Sequence, residues 1–174
     1  MIMEKTSLTP NALAFIGLCN EYCATIENAR ETERDEFVES MLRLLPRLYI
    51  TANDLKLPDD ADEDSYIDDV LDDETYESVR GDIESLLGYD DSYLEVFEEN
   101  MKYSDTPIGA SIAEGLTDIF QVLYNFLELV KTSTEPIIQL ALQAVKEDFA
   151  QYWSQTLCNV LRAVNNIRYN STDI

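Results

Sequence analysis

The stretch that decides the fold spans residues 106–169 and has the sequence TPIGASIAEGLTDIFQVLYNFLELVKTSTEPIIQLALQAVKEDFAQYWSQTLCNVLRAVNNIRY. Its apolar residues recur at steps of three and four, which places them on one face of an α-helix. The polar run Lys131-Thr132-Ser133-Thr134 divides the stretch into two such amphipathic segments. Because each apolar stripe requires a facing partner, the pattern predicts two long helices packed as an antiparallel hairpin, at about residues 106–169.

Two further helical patterns precede this hairpin at the start of the chain. Thr9-Pro10 is a typical helix start, with threonine as the cap and proline in the first turn. A second helix is predicted from about Thr32 to Asn53. Pro46 falls inside it and lacks a backbone donor, so we expect either a kink or a junction of two helices there.

A third helical pattern covers residues 72–87 and is followed by Gly88, a typical helix stop. Together these patterns predict an all-α protein. We expect one domain over residues 1–174, a single bundle of about five main helices in which the C-terminal hairpin is the longest unit.

The charge of the chain is concentrated in one region. Its net charge is −23, from 12 basic and 35 acidic residues. Residues 59–99 hold 18 acidic residues and one basic residue, so this segment carries −17 and the remainder only −6. Such a field repels nucleic acid and anionic lipid and attracts cationic partners or metal ions. We therefore expect a basic protein partner, and neither nucleic acid nor a membrane.

An acidic loop at about residues 58–74 has the composition of a calcium-binding loop. Four aspartates occupy the first, third, fifth and ninth positions of an EF-hand loop: Asp60, Asp62, Asp64 and Asp68. The sixth position, however, holds Ser65 instead of glycine, and the twelfth holds Leu71 instead of glutamate. Because the two most selective positions differ, a solvated acidic loop is favoured, and the four aspartates are secondary candidates for a metal site.

The chain contains no histidine, which excludes many kinds of site. Histidine is the commonest general base and the commonest transition-metal ligand, so Ser-His-Asp systems and His-ligated zinc sites are impossible. The sequence also has no glycine-rich phosphate loop and no nucleophile elbow. We expect a protein that is not an enzyme and uses no cofactor.

The cysteines indicate a reducing compartment, and the hydropathy gives no sign of a membrane span. Three cysteines, an odd number, do not suit a disulfide framework. Cys19 and Cys23 lie one turn apart on the first predicted helix, where we interpret them as buried small hydrophobic residues. No apolar run is long enough to span a bilayer, and the first residues lack a secretory signal pattern. We expect a cytoplasmic protein.

Several short blocks resemble a known family. They are Tyr93-Leu94-Glu95-Val96-Phe97, Pro107 with Ser111-Ile112-Ala113, Leu116-Thr117-Asp118-Ile119-Phe120, and Phe149, Trp153 and Leu161-Arg162-Ala163. In these blocks the chain resembles a family of uncharacterised bacterial helical proteins, domain of unknown function 5063. The resemblance implies an all-helical fold and transfers no activity. In relatives, histidine often precedes the tryptophan, where this chain has Tyr152.

Three residues in these blocks are polar or unusual enough to be considered as site residues. Asp118 and Arg162 are interpreted as surface residues that form ion pairs. Arg162 lies nine residues after Trp153, about 180° around the helix, so a pocket shared by Asp118 and Arg162 is not expected. Trp153 is predicted to be a core residue whose indole N–H has one partner.

These observations lead to two hypotheses of different classes. The leading one is a non-enzymatic acidic interaction or adaptor protein, in one concrete form an immunity- or antitoxin-like inhibitor of a basic toxin. The alternative is a carboxylate-based divalent-metal-binding protein or hydrolase. Oligomeric state is left open. The residues predicted to bind the partner are Asp59, Asp60, Asp62, Glu63, Asp64, Asp68, Asp69, Asp72, Asp73 and Glu74.

Overall fold

The structure, a computed structural model, describes residues 8–56, 65–95 and 108–170. Six α-helices account for most of them: α1 (Pro10–Glu27), α2 (Arg34–Asn53), α3 (Asp73–Leu87), α4 (Ile112–Thr132), α5 (Glu135–Asp148) and α6 (Ser154–Asn170). Two short strands, β1 (Ser92–Leu94) and β2 (Gly109–Ser111), form a small ribbon. The all-α prediction is confirmed.

The C-terminal hairpin is present, with a feature that the sequence pattern did not predict. α4 ends at Thr132, and its antiparallel partner starts at Glu135, after two intervening residues. That partner is continuous, because a single π-helical turn, Phe149–Trp153, joins α5 to α6. Counted as one unit with this turn, α5 and α6 bring the number of main helices to the five predicted.

The first arm of the hairpin starts later than the sequence predicted. The predicted start, Thr106-Pro107, lies outside the described residues, and α4 begins only at Ile112. The residues just before it are extended because β2 pairs antiparallel with β1, with Ser92 opposite Ser111. The Ser111 hydroxyl accepts the backbone N–H of Glu114 at 3.2 Å and so caps the helix.

The other predicted helices agree closely with the structure. Thr9 caps α1 by accepting the N–H of Ala12 at 3.0 Å. Asp72 caps α3 in the same way, and Gly88 ends α3 with a positive φ of 58° that favours glycine. α2 continues through Pro46 as one helix, so the alternative of two helices meeting there is wrong.

The core is formed by the buried faces of α1, α2, α4 and the α5–α6 arm, with a smaller contribution from α3. Phe15 of α1 packs against Phe126 of α4 and Trp153, with ring centroids 5.6 and 6.5 Å apart. Trp153 is buried and donates its indole N–H to the carbonyl of Val145 at 3.3 Å, as predicted. Cys19 and Cys23 are buried too, and burial raises the pKa of Cys23 to about 12, which suits inert core thiols.

Candidate functional site: an acidic recess

A polar recess of about 470 Å³ lies between the β1–β2 ribbon, the first turns of α4 and the beginning of α6. Three separate parts of the chain therefore form its walls. The described residues that line it are Tyr93, Glu95, Ile108, Gly109, Ala110, Ser111, Glu114, Gly115, Asp118, Gln151, Tyr152, Gln155, Thr156 and Asn159.

The α4 wall of the recess is fixed in place by the buried carboxylate of Asp91. This carboxylate accepts the Ser111 hydroxyl and the backbone N–H of Ala113, each at 2.7 Å. It therefore satisfies a donor in the first turn of α4, where a negative charge also interacts favourably with the helix dipole. Asp91 belongs to the acidic region of the sequence, but its role is to position α4.

Glu114 and Asp118 are one turn apart on α4, on either side of Gly115 in the sequence. A Cβ atom at Gly115 would lie 2.4 Å from Val160 Cγ1, so α6 approaches the helix at a position that only glycine fits. Because residues at i and i+4 share a helix face, both carboxylates are presented beside this contact, at the wall of the recess.

Asp118 connects the recess to α3. The hydroxyl of Tyr76 donates a hydrogen bond to Asp118 Oδ1 at 2.5 Å. Burial raises the pKa of Tyr76, and the bond to Asp118 and the charges of Asp118, Glu114 and Glu77 raise it further. Burial also raises the pKa of Asp118, while the bond from Tyr76 opposes that shift. Tyr76 is thus a neutral donor that holds the carboxylate.

Glu95 is held at the opposite side of the recess. Asn159 of α6 donates to Glu95 Oε2 at 2.8 Å, and the hydroxyl of Tyr93 donates to Oε1 at 3.2 Å. The backbone N–H of Glu95 also donates to the carbonyl of Ile108 at 2.7 Å, which extends the ribbon by one bond. The carboxylate is therefore oriented by groups from two different elements.

The π turn supplies the remaining wall. Phe149 and Trp153 of this turn lie in the core, packed edge-to-face with ring centroids 4.5 Å apart, and Gln151 and Tyr152 are exposed beside the recess. Single π turns inside α-helices are frequent at functional sites. Tyr152, which is 66% exposed, is the position at which the family resemblance places histidine in relatives.

The electrostatic character of the recess follows from its lining. Glu95, Glu114 and Asp118 each contribute a carboxylate, and none of the described lining residues is Lys or Arg. The other polar groups are amides and hydroxyls that can donate or accept. Since the recess is partly enclosed, attraction between its carboxylates and a cation is screened less than at an open surface. Its chemistry suits a cationic group.

The structure describes five of the ten residues that were predicted to bind a partner. Half of the predicted set, Asp59, Asp60, Asp62, Glu63 and Asp64, lies outside the described residues. Asp69 accepts the side-chain amide of Asn125 at 3.1 Å, and Asp72 caps α3 by accepting the N–H of Thr75 at 2.6 Å. The pKa of Asp72 is lowered by this bond to Thr75. These two carboxylates therefore have structural roles.

The rest of the predicted set is exposed. Asp68 lies in the extended segment before α3, and Asp73 and Glu74 lie in the first turn of α3. None of the three has a hydrogen bond or ion pair with another described residue. They remain candidates for contact with a partner.

The described residues contain no arrangement of side chains that supports the metal hypothesis. Within residues 8–56, 65–95 and 108–170, no group of three or more acidic, cysteine or histidine side chains is arranged to hold a metal ion. Of the four calcium-loop aspartates, Asp60, Asp62 and Asp64 lie outside these ranges, and Asp68 is exposed. Metal binding by the loop stays a prediction.

Asp118 and Arg162 are found on different surfaces, as the sequence indicated. Asp118 lines the recess, whereas Arg162 lines a separate groove beside Pro46. The prediction of a surface ion pair is wrong for Asp118, whose partner is the hydroxyl of Tyr76 because α3 packs directly over this part of α4. In the described part of the chain, Arg162 has no carboxylate partner.

Sequence reasoning missed the recess, although one local signal was present. Glu114 and Asp118 place two acids one turn apart, beside a glycine, in an otherwise strongly apolar helix. Glu95 offered no local signal, since its partner Asn159 is 64 residues away.

No helix in the described ranges combines the length and the apolar character needed to cross a bilayer.

Fold and site together define an all-helical protein with an acidic recess. A family model described as "Domain of unknown function (DUF5063)" matches residues 6–170, so the chain belongs to that family. It is also similar to the crystal structure of protein BF1032 from Bacteroides fragilis, a structural genomics target. The two chains are 27% identical, the match covers 98% of this chain and 99% of that one, and the TM-score is 0.81. No curated protein matches the chain.

Proposed function

We propose that this protein is a non-enzymatic binding protein that recognises a basic partner, and that the acidic recess receives a lysine or arginine side chain of that partner. The observation that supports this most directly is that Glu95, Glu114 and Asp118 all line one recess, with no Lys or Arg among its described lining residues. A cationic side chain entering between them would gain charge-assisted hydrogen bonds.

The recess is adjacent to further carboxylates on α3. Tyr76, which bonds Asp118, lies one helical turn after Asp73 and directly before Glu77. Glu77 is paired with Arg80 at 2.7 Å, but Asp73 and Glu74 are exposed and have no partner among the described residues. A basic partner could therefore contact the first turn of α3 while one of its side chains occupies the recess. Exposed carboxylates beside a binding site attract a basic partner and so accelerate association.

The fixed orientation of the carboxylates favours binding over catalysis. Asp118 is held by Tyr76, and Glu95 by Asn159 and Tyr93. The groups that hold them are two tyrosine hydroxyls and an amide; the raised pKa of Tyr76 keeps its hydroxyl protonated, and the chain has no histidine to act as a general base. Pre-oriented acceptors reduce the entropy lost when a cation binds. An immunity- or antitoxin-like inhibitor of a basic toxin is one concrete form of this proposal.

The first experiment is capture of a partner from lysate at low salt. We compare the wild type with a recess variant, Glu114→Gln with Asp118→Asn, which removes two charges and keeps the side-chain shapes. The matched control is Asp35→Asn with Glu36→Gln, since these residues line a different groove that shares no described residue with the recess. The proposal predicts a basic protein that wild type and control retain and the recess variant loses. Equal retention by all three would refute it.

A further inference from the structure

The outer face of α1 is unusual in this chain because it carries no charge over its first three turns. Residues 10–20 contain no Asp, Glu, Lys or Arg, although 27% of all residues are charged and the net charge is −23. Leu13 is 51% exposed, and Ala14 and Gly17 are exposed beside it. An uncharged helix face in so acidic a chain is a candidate surface for contact with another protein.

α2 extends this face into a groove. Ile50 of α2 is 58% exposed and lines, with Ala14, Gly17 and Leu18, an open groove of about 510 Å³ between the two helices. A Cβ atom placed at Gly17 would meet nothing within 4 Å, so the groove is open at this position. Because Gly17 has no side chain, another helix can approach the backbone of α1 closely here.

Two opposite charges line the same groove, Glu21 on α1 and Arg47 on α2. Both side chains are exposed, and neither forms an ion pair with the other or with any further residue in the described ranges. The groove therefore presents an apolar centre with one unpaired acid and one unpaired base at its edge, with no net charge.

We propose that this groove is a self-association surface, occupied by a second copy of the chain related by a two-fold axis near Gly17. A two-fold interface brings the same patch of both copies together, so each residue i that contacts j is matched by j contacting i. Leu13 and Ile50 then pack against their counterparts. Glu21 pairs with Arg47 of the partner subunit, and Arg47 with the partner subunit's Glu21.

Charge selects a second copy over other partners. A strongly acidic or basic partner would leave one of the two groove charges unpaired, whereas a second copy pairs both. Two chains of net charge −23 repel each other, and contact through an uncharged face brings the fewest carboxylates together. The surface is separate from the acidic recess, with which it shares no described residue, so both can be used at once.

The test is sedimentation velocity of the full chain from about 1 µM to about 1 mM, since a small contact of this type associates weakly. We expect a reversible monomer–dimer equilibrium. Leu13→Ser with Ile50→Ser changes only exposed side chains and should leave a folded monomer. Tyr89→Ser, at a residue that is 99% exposed outside the groove, is the matched control and should dimerise like the wild type. A wild-type chain that stays monomeric throughout, or a dimer that the double serine variant preserves, would overturn the proposal.

A charge-reversal cycle tests the reciprocal pairing separately. Glu21→Arg alone and Arg47→Glu alone each place like charges together twice in the dimer, and each should weaken dimerisation by about tenfold. The double reversal restores opposite charges at both contacts and should recover most of the loss. Single reversals that leave the dimer unchanged, or a double reversal that adds the two losses, would show that the copies meet in another way.

Discussion

The hydroxyl of Tyr76 on α3 donates a 2.5 Å hydrogen bond to the carboxylate of Asp118 on α4. This bond joins α3, the most acidic of the described helices, to the wall of the recess. It also explains why Asp118, which the sequence analysis interpreted as a surface residue in an ion pair, is held in one orientation by a tyrosine hydroxyl. A carboxylate fixed in this way is ready to accept a second donor from a ligand.

Replacing Tyr76 by Phe should cost about 1 kcal/mol of unfolding free energy, because one hydrogen bond is lost and the ring remains. The bond lowers the pKa of Asp118, so its removal should raise that pKa further above the ordinary value. Urea unfolding and an NMR titration of the Asp118 carboxyl group measure the two effects. An unchanged pKa in the variant would mean that the bond does not form in solution.

The raised pKa of Asp118 predicts a specific dependence of stability on pH. Since the folded state holds this proton more tightly than the unfolded state, unfolding releases it, and Asp118 contributes less stability as the pH rises through its folded pKa. Relative to Asp118→Asn, which cannot titrate, the wild type should therefore become less stable from about pH 4 to about pH 7. Urea unfolding of both proteins across this range checks the sign, and a difference that grows in the opposite direction would contradict it.

Gly115→Ala tests the contact between α4 and α6. An alanine would normally favour a helix by about 1 kcal/mol, but here its Cβ would lie 2.4 Å from Val160 Cγ1. We expect overpacking to dominate and to destabilise the protein by about 1–3 kcal/mol. Combining Gly115→Ala with Val160→Ala should recover part of this loss relative to the sum of the two single changes, as measured in a double-mutant cycle. Strict additivity would show that the two side chains do not collide.

The extended segment before α3 depends on the buried side chain of Asn125. Its Oδ1 atom accepts the backbone N–H groups of Val70 and Leu71 at 3.1 and 3.0 Å, and its amide donates to Asp69. Asn125→Ala should accelerate hydrogen exchange of the Val70 and Leu71 amides by about tenfold or more, because both lose their acceptor. Asn20→Ala, at an exposed position of α1, is the control and should leave both amides protected.

The metal alternative has its own test, which does not depend on the recess. Calcium, magnesium and manganese at about 1 mM should produce no saturable heat in calorimetry and no shift of thermal unfolding beyond the effect of ionic strength. The reason is that the calcium-loop pattern lacks its glycine and its glutamate. A saturable shift that Asp60→Asn with Asp62→Asn abolishes would favour the metal-binding hypothesis instead.

Sequence periodicity could predict the helices because their causes are local. Thr9-Pro10 starts a helix and Gly88 ends one through contacts with the few residues around them, and both predicted boundaries are confirmed. The start of α4 was placed too early because its cause is distant. Residues 109–111 are extended since they pair with β1, and that pairing joins parts of the chain that no local pattern connects.

Neither the π turn nor the recess could be predicted from local sequence patterns. Phe149 and Trp153 are four residues apart, a spacing that an ordinary helix also satisfies, so the apolar stripe does not reveal the wider turn. The recess requires Glu95 to meet Asn159 and Asp118 to meet Tyr76 across 64 and 42 residues. The acidic region itself was visible in the composition. Which of its carboxylates cap a helix, which form ion pairs and which stay exposed depends on how the helices pack.

Binding of a lysine or arginine side chain in the acidic recess is tested most directly by an NMR titration with short peptides. The peptides differ at one side chain, which is lysine, arginine or the uncharged isostere norleucine. Binding of a single side chain is expected at about 1 mM. We predict saturable amide shifts for the lysine or arginine peptide at Glu114, Asp118 and residues 151–159, and none for the norleucine peptide. These shifts should disappear in Glu114→Gln with Asp118→Asn and persist in Asp35→Asn with Glu36→Gln. Shifts that survive the recess variant, or that do not include the recess, would contradict the account.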